Sequence, residues 1–186
     1  MAMETFNLIL VLISLLNILQ NSQSQTTNQL TLRSASIIRF TYYTHPVWKN
    51  SNQSIFSLAR TSISDQVPSR FGILYACDIL VKDGPEIESK ELGRLQGAAT
   101  TEDLKETATG EIFNLIFTHG EYKGSTVSFM GRNPILNRVR GTSIVGGSGA
   151  FRRAWGYVII TTYSVDQYGY NDVVKCDAVV YNTTYT

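Results

Sequence analysis

An all-β fold of antiparallel strands, either a sandwich or a closed barrel, is predicted for this chain by three features of its sequence. Past residue 30, apolar side chains recur at every second position rather than at helical spacing. Clusters of Gly, Asn, Asp and Pro interrupt these runs at short intervals. The connections are too short for helical crossovers, so neighbouring strands should run antiparallel.

The alternation marks segments beginning near residues 37, 54, 70, 92, 110, 124, 141, 155 and 172. In the first, Ile38, Phe40, Tyr42 and Thr44 alternate with Arg39, Thr41 and Tyr43. In the third, Phe71, Ile73, Tyr75, Cys77 and Ile79 alternate with Gly72, Leu74, Ala76 and Asp78. In the last, Val174, Cys176, Ala178 and Val180 alternate with Lys175, Asp177 and Val179. Successive side chains of a strand point to opposite faces, so each run has one apolar face and one mixed face. Asp83-Gly84-Pro85, His119-Gly120, Lys123-Gly124, Arg132-Asn133-Pro134 and Gly146-Gly147 supply the turns. The polar stretch 102–109 reads as a loop or a ragged strand end. Closing a sheet into a barrel removes its exposed edges, and eight strands enclose room for one small ligand. Periodicity alone leaves sandwich and barrel both open.

The N-terminal stretch 6–19 is almost wholly apolar, shorter than the ~20 residues a bilayer span needs. A polar segment, 20–25, follows it. That order reads as a secretory signal over residues 1–24, leaving a single domain over 25–186; a membrane anchor is the competing reading. Secretion to the extracellular space, or apoplast, is the expectation, with sequons at Asn52 and Asn182 as glycosylation sites. Sixteen Lys and Arg against 15 Asp and Glu give a net charge of +1, and no basic stripe or polybasic run points to nucleic acid or a membrane surface. The two cysteines, Cys77 and Cys176, and two histidines, His45 and His119, have no zinc spacing, so no metal is expected. In a secreted chain the cysteines could pair, or they could serve as small buried apolar residues.

The familiar catalytic signatures are missing: no nucleophile elbow, P-loop, zincin helix or dinucleotide fingerprint. Gly146-Gly147-Ser148-Gly149 lacks the Lys-Ser/Thr that would follow in a phosphate loop, and reads as a turn. Two stretches do carry a resemblance: DGPEIESKELGRLQG over 83–97, and YKGSTVSFMGRNPILNRVRGTSIVGGSGAFRRAWGY over 122–157. Together they resemble the plant dirigent family, and the likeness extends less tightly from about residue 36 to the C-terminus. The GRNP form is similar to the large branch of that family rather than to the lignan-forming branch. The resemblance implies an eight-stranded antiparallel β-barrel of the dirigent, allene-oxide-cyclase-like type, assembled as a homotrimer and secreted to the cell wall, with no cofactor. It implies a phenolic radical or a quinone methide as the small-molecule partner. The first function implied is stereoselective coupling of phenoxy radicals made from phenylpropanoid-type phenols by a separate laccase or peroxidase. One alternative is a lyase or cyclase acting on a quinone methide or isoflavanol precursor. Another is a non-catalytic cell-wall or defence protein.

Residue by residue, the resemblance makes Arg140 the retained arginine before the glycine motif, a candidate anchor for a phenolic or carbonyl oxygen. Asn133 stands where lignan-forming members have an acidic residue, and His45-Pro46 stands where they have His-Asp. Asn133 can hydrogen-bond but cannot do proton work, so these two losses weigh against pinoresinol-type control. Thr101 falls where a pocket tyrosine would sit. Phe40 and Tyr42 share the pocket-facing parity of the first strand, whereas His45 should face away from the barrel axis. The substrate-binding candidates are therefore Arg140, Asn133, Tyr42, Phe40, Thr101 and His45, each with a plain structural role as the rival reading.

Overall fold

The computed structural model describes residues 32–49, 51–166 and 172–185. The expected leader over 1–24 lies outside the described residues. The compact unit Ser34–Thr184 is built from strands joined by turns. They are β1 (Leu32–His45), β2 (Ile55–Ala59), β3 (Leu74–Lys82), β4 (Glu91–Thr101), β5 (Thr109–Phe117), β6 (Thr126–Asn133), β7 (Val139–Ser148), β8 (Ala154–Val165) and β9 (Asp172–Tyr185). One 3-10 turn, Gly149–Phe151, sits between β7 and β8.

The nine segments fill eight positions around a closed ring. Strands β2 to β9 pair in chain order, β9 lies beside β1, and β1 pairs with β3 to complete the circle. β1 covers only the far half of the β3 edge, where Tyr43, Thr44 and His45 pair with Lys82, Val81 and Leu80. Pro46 ends this ladder, because proline has no N–H to offer it. The chain detours outward and returns as β2, which runs on along the same edge with Ile55 opposite Cys77 and Ser57 opposite Tyr75. Two bonds pinch the neck of the detour: Ser54 N–H to the Val47 carbonyl, and Val47 N–H to Ser54 Oγ, both 2.9 Å. Cys77 on β3 lies opposite Ile55 of β2, and the ring position shared by β1 and β2 separates it from Cys176 on β9. Two strand spacings, about 9–10 Å, exceed the reach of a disulfide, and both thiols are free and buried.

The observed starts depart from the alternation pattern in two places. β1 begins at Leu32, ahead of residue 37, and β3 begins at Leu74, past residue 70. Before β3 the backbone turns through positive φ at Arg70 (59°) and Gly72 (81°), so Phe71 belongs to the turn.

Inward-facing side chains make the core, with Val81, Leu115, Val127, Val158 and Val180 fully buried. One end of the barrel is stoppered by aromatic rings. Phe117 stacks on Phe151 at 5.6 Å, Phe40 meets Phe117 edge-on at 5.8 Å, and Tyr122 lies 4.9 Å from Phe151. The glycine-rich motif aims Phe151 into this stopper: Gly149 turns at φ 59°, and Ala150 N–H bonds Ser125 Oγ at 3.0 Å.

The second glycine of functional note is Gly97 in the Gln96-Gly97 pair. A Cβ there would stand 2.1 Å from the Ile112 carbonyl oxygen and 2.9 Å from the Phe113 ring, inside the wall between β4 and β5. Gly97→Ala is expected to destabilise the fold by about 3 kcal/mol, the upper end of overpacking penalties. Urea denaturation of both proteins measures it.

Candidate functional site

The aromatic stopper fills one end of the barrel, and a cavity of about 380 Å³ occupies the other. Its position follows from topology. The lining comes from the end of β1, the start of β2 and β3, the end of β4, the start of β5, the end of β6, the start of β7, the end of β8 and the start of β9. In an up-and-down ring the starts of β3, β5, β7 and β9 and the ends of β4, β6 and β8 lie at one rim, while the end of β1 and the start of β2 reach the cavity partway along β3. Ile79, Leu95, Phe113, Phe129 and Ile160 supply an apolar wall, and the detour after β1 adds Pro46 and Trp48. Trp48 meets Tyr75 edge-on at 5.5 Å.

Polar groups gather on the β5–β6–β7–β9 side. Arg140 faces inward because it shares parity with Thr142 and buried Ile144, opposite exposed Val139 and Val145. Only 8% of it is exposed. Its Nη1 donates to the Asn137 carbonyl and to Thr162 Oγ1, both at 2.8 Å, and to the Ile135 carbonyl at 3.4 Å. All three acceptors are neutral oxygens, so the positive charge is held in place without being cancelled by a contact ion pair. Burial pulls its pKa down, while Glu111, Cys176 and Asp172 push it back up.

Two carboxylates line the cavity: Glu111 and Asp172. Glu111 Oε1 accepts from Asn133 Nδ2 at 2.7 Å and from Thr109 Oγ1 at 2.9 Å. Burial raises the Glu111 pKa, outweighing these bonds and the Arg140 charge; Glu102 adds to the rise. Asp172 is also raised, by burial and by Asp166, against the pull of Arg140. The acids missing at Pro46 and Asn133 therefore do not leave the cavity without a carboxylate. The acid absent at position 133 stands two residues into β5, hydrogen-bonded to the Asn133 amide.

Of the six candidates from sequence, Arg140, Asn133 and Tyr42 line the cavity. Tyr42 is 2% exposed, and burial holds its hydroxyl well above the ordinary phenol range. Phe40, Thr101 and His45 do not line it. Phe40 faces inward as its parity requires, but at the other end, within the stopper. Thr101 is a fastener for the turn before β3: Oγ1 accepts from Ile73 N–H at 2.9 Å and donates to the Arg70 carbonyl at 2.6 Å. His45 is buried beside the β3–β4 turn, where burial, offset by a bond the imidazole donates to the Gly84 backbone, lowers its pKa.

Both cavity thiols are poor nucleophiles as they stand, since burial pushes Cys77 and Cys176 up to about 12. Among the described residues, no three His, Cys, Asp or Glu side chains are grouped to hold a metal ion. The loop 102–108 is strapped to β6 by Arg132, which reaches Glu102 at 3.4 Å, Asp103 at 3.0 Å and Glu106 at 2.6 Å.

Comparison with known proteins agrees with this architecture. The Dirigent-like protein family pattern matches residues 37–181. The chain belongs to the dirigent family. Dirigent protein 11 of Arabidopsis thaliana is 37% identical over 139 residues, 75% of this chain and 68% of its own. Pterocarpan synthase 1 of Glycine max is 34% identical over 158 residues, 84% of this chain and 85% of its own. A solved structure described as the pterocarpan synthase dirigent protein GePTS1 superposes with a TM-score of 0.72 at 32% identity, covering 80% of this chain and 86% of that one.

In this dirigent barrel, the raised Glu111 pKa has a definite consequence for stability. The folded state holds the Glu111 proton more tightly than the unfolded chain does. Stability therefore falls as pH rises from the unfolded value through the folded one, and the cost persists above it. Glu111→Gln keeps an acceptor for Asn133 and removes the charge. Its melting temperature is expected to exceed wild type at pH 7 and to converge with wild type near pH 4, as checked by calorimetry across that range.

Proposed function

We propose that this dirigent protein binds one phenolic molecule in its barrel and steers intramolecular bond formation through a quinone methide, as a lyase or cyclase that needs no oxidant. The observation that carries this reading is Glu111, a carboxyl group of raised pKa beside Asn133 in a cavity that also holds Arg140. A cavity of about 380 Å³ is at the small end of ligand sites, suited to one guest rather than two. The likeness to pterocarpan synthases supports the same choice.

The chemistry balances without a redox partner. The guest carries a phenol conjugated to a benzylic carbon that bears a hydroxyl, as in an isoflavanol. Neutral Glu111 gives its proton to that hydroxyl, the C–O bond breaks, and water leaves. The phenol passes its proton to water at the rim and its oxygen becomes the carbonyl of the quinone methide, and Arg140 stabilises the phenolate charge that returns to that oxygen when the next bond forms. A second phenolic hydroxyl of the same molecule then adds to the benzylic carbon. Its proton restores Glu111, the first phenol regains its own, and the net change is loss of one water. A fixed pocket admits one face of attack, and ~1.4 kcal/mol between orientations already gives a tenfold product ratio.

A second reading, stereocontrol of phenoxy-radical coupling with a laccase or peroxidase as the separate oxidant, is favoured by the apolar cavity rim. Ile135, Leu136 and Val165 line it, and Leu136 is 78% exposed, a seat for a second ring. A purely non-catalytic wall or defence role loses its motive, which was the missing carboxylates. The test is incubation with an isoflavanol with and without oxidase. Oxidase-free, stereoselective ring closure is expected. Glu111→Gln should slow it about 100-fold or more. The wild-type rate should fall as pH rises through the elevated Glu111 pKa. Products that appear only with an oxidase present would transfer the claim to radical coupling.

On this reading the mature protein works in the extracellular space as a homotrimer, with a glycan at Asn52. Asn52 is exposed in the β1–β2 detour, whereas Asn182 Nδ2 is engaged with the Ala150 carbonyl at 2.8 Å. The outer wall offers a seat for neighbouring copies. Ile112 pairs with Met130, Met130 with Ser143, and Ser143 with Tyr157, a row in which the three large apolar residues are 60%, 55% and 42% exposed. Met130→Lys is expected to yield monomer by light scattering with an unchanged circular dichroism spectrum. A wild-type monomer would remove the assembly proposal.

A further inference from the structure

The polar side of the cavity is unbalanced. Asn133 Oδ1, Arg140 Nε, Thr142 Oγ1 and Asp172 Oδ1 are buried without a protein hydrogen-bond partner, and all four residues line the cavity. Asn133 and Arg140 are each only 8% exposed. Asn133 spends its amide nitrogen on Glu111, which fixes its oxygen as an acceptor with nothing to accept. The bonds from Thr109 and Asn133 to Glu111 both fall on Oε1. Arg140 Nε–H is a donor only, and the Thr142 hydroxyl can act either way.

Among these four unpaired atoms, two oxygens, Asn133 Oδ1 and Asp172 Oδ1, stand against one obligate donor, Arg140 Nε–H. A guest that brings only acceptors, such as a methoxy or carbonyl oxygen, satisfies Arg140 and leaves the Asn133 and Asp172 oxygens stranded. Buried polar groups left unpaired are costly, and a site built around them discriminates strongly against a guest that lacks the matching group. Deepening the reading of this cavity as a phenol site, and resting on it, we infer that the guest carries a pair of hydroxyl groups on one ring, as a catechol does, rather than the hydroxyl–methoxy pair of a guaiacyl ring. One hydroxyl donates to Asn133 Oδ1 while its oxygen accepts from Arg140 Nε–H; the other donates to Asp172.

The test is calorimetric titration of the full-length protein with propylcatechol, propylphenol and propylguaiacol. Propylphenol drops the second hydroxyl without adding bulk, and propylguaiacol caps it with a methyl group. Quenching of tryptophan emission reports entry independently, because Trp48 lines the cavity. Propylcatechol is expected to bind at least about tenfold more tightly than either relative, and Asp172→Ala should shrink that margin. Equal affinity for the three, or preference for propylguaiacol, overturns the dihydroxyl requirement while leaving phenol binding intact. Failure of all three to bind overturns the phenol site itself.

Discussion

Everything at the rim depends on how the ring is closed. Only three residue pairs join β1 to β3, and the remainder of that edge is held by β2 after the detour that Pro46 begins. The detour permits two things at once. It completes the hydrogen-bonded circle, so no long strand edge is left bare. It also carries Pro46 and Trp48 to the cavity in place of a further strand turn. A straight β1 running the length of β3 would seal the same edge without supplying these side chains.

Within the closed ring, strand alternation decides what the interior contains. At one end large rings meet in the middle and leave no room: Phe40, Phe117, Tyr122 and Phe151. At the other end smaller and polar residues, among them Thr44, Ala99, Thr109, Glu111 and Asn133, stand between the large apolar ones, and the cavity lies there. Glu111 and Asp172 hold inward positions that apolar residues hold elsewhere on the same strands. Phe113, Leu115 and Phe117 follow Glu111 on β5, and Val174, Cys176 and Ala178 follow Asp172 on β9. Burying a carboxyl group in such a wall is destabilising, which is the kind of cost found where chemistry needs it.

Much of this was legible in the sequence. The alternation located the strands, and the motif stretches named the family and Arg140. The carboxylates were equally legible and were missed: β5 reads Thr109, Glu111, Phe113, Leu115, Phe117 at one parity, and continuing the Val174–Val180 parity back by two positions reaches Asp172. The motif positions that would carry an acid in lignan-forming relatives, 46 and 133, say nothing of Glu111 on the strand beside Asn133. Phe40 was a different error. Parity gives the face of a strand but not the depth along the barrel, and depth separates the stopper from the cavity. Thr101 and His45 could not be resolved by pattern at all, because their roles are set by partners distant in sequence, the turn at Arg70 and the turn at Gly84.

The central claim is that the Glu111 carboxyl sits in the barrel with an elevated pKa and meets the guest. Carbon-13 NMR titration of the glutamate carboxyl resonances, with Glu111 assigned by its loss in Glu111→Gln, measures this directly. The expected result is a midpoint above the ordinary glutamate value near 4.3 and a displaced Glu111 signal when a phenol is added. An ordinary or depressed midpoint, with a resonance indifferent to phenols, would contradict it.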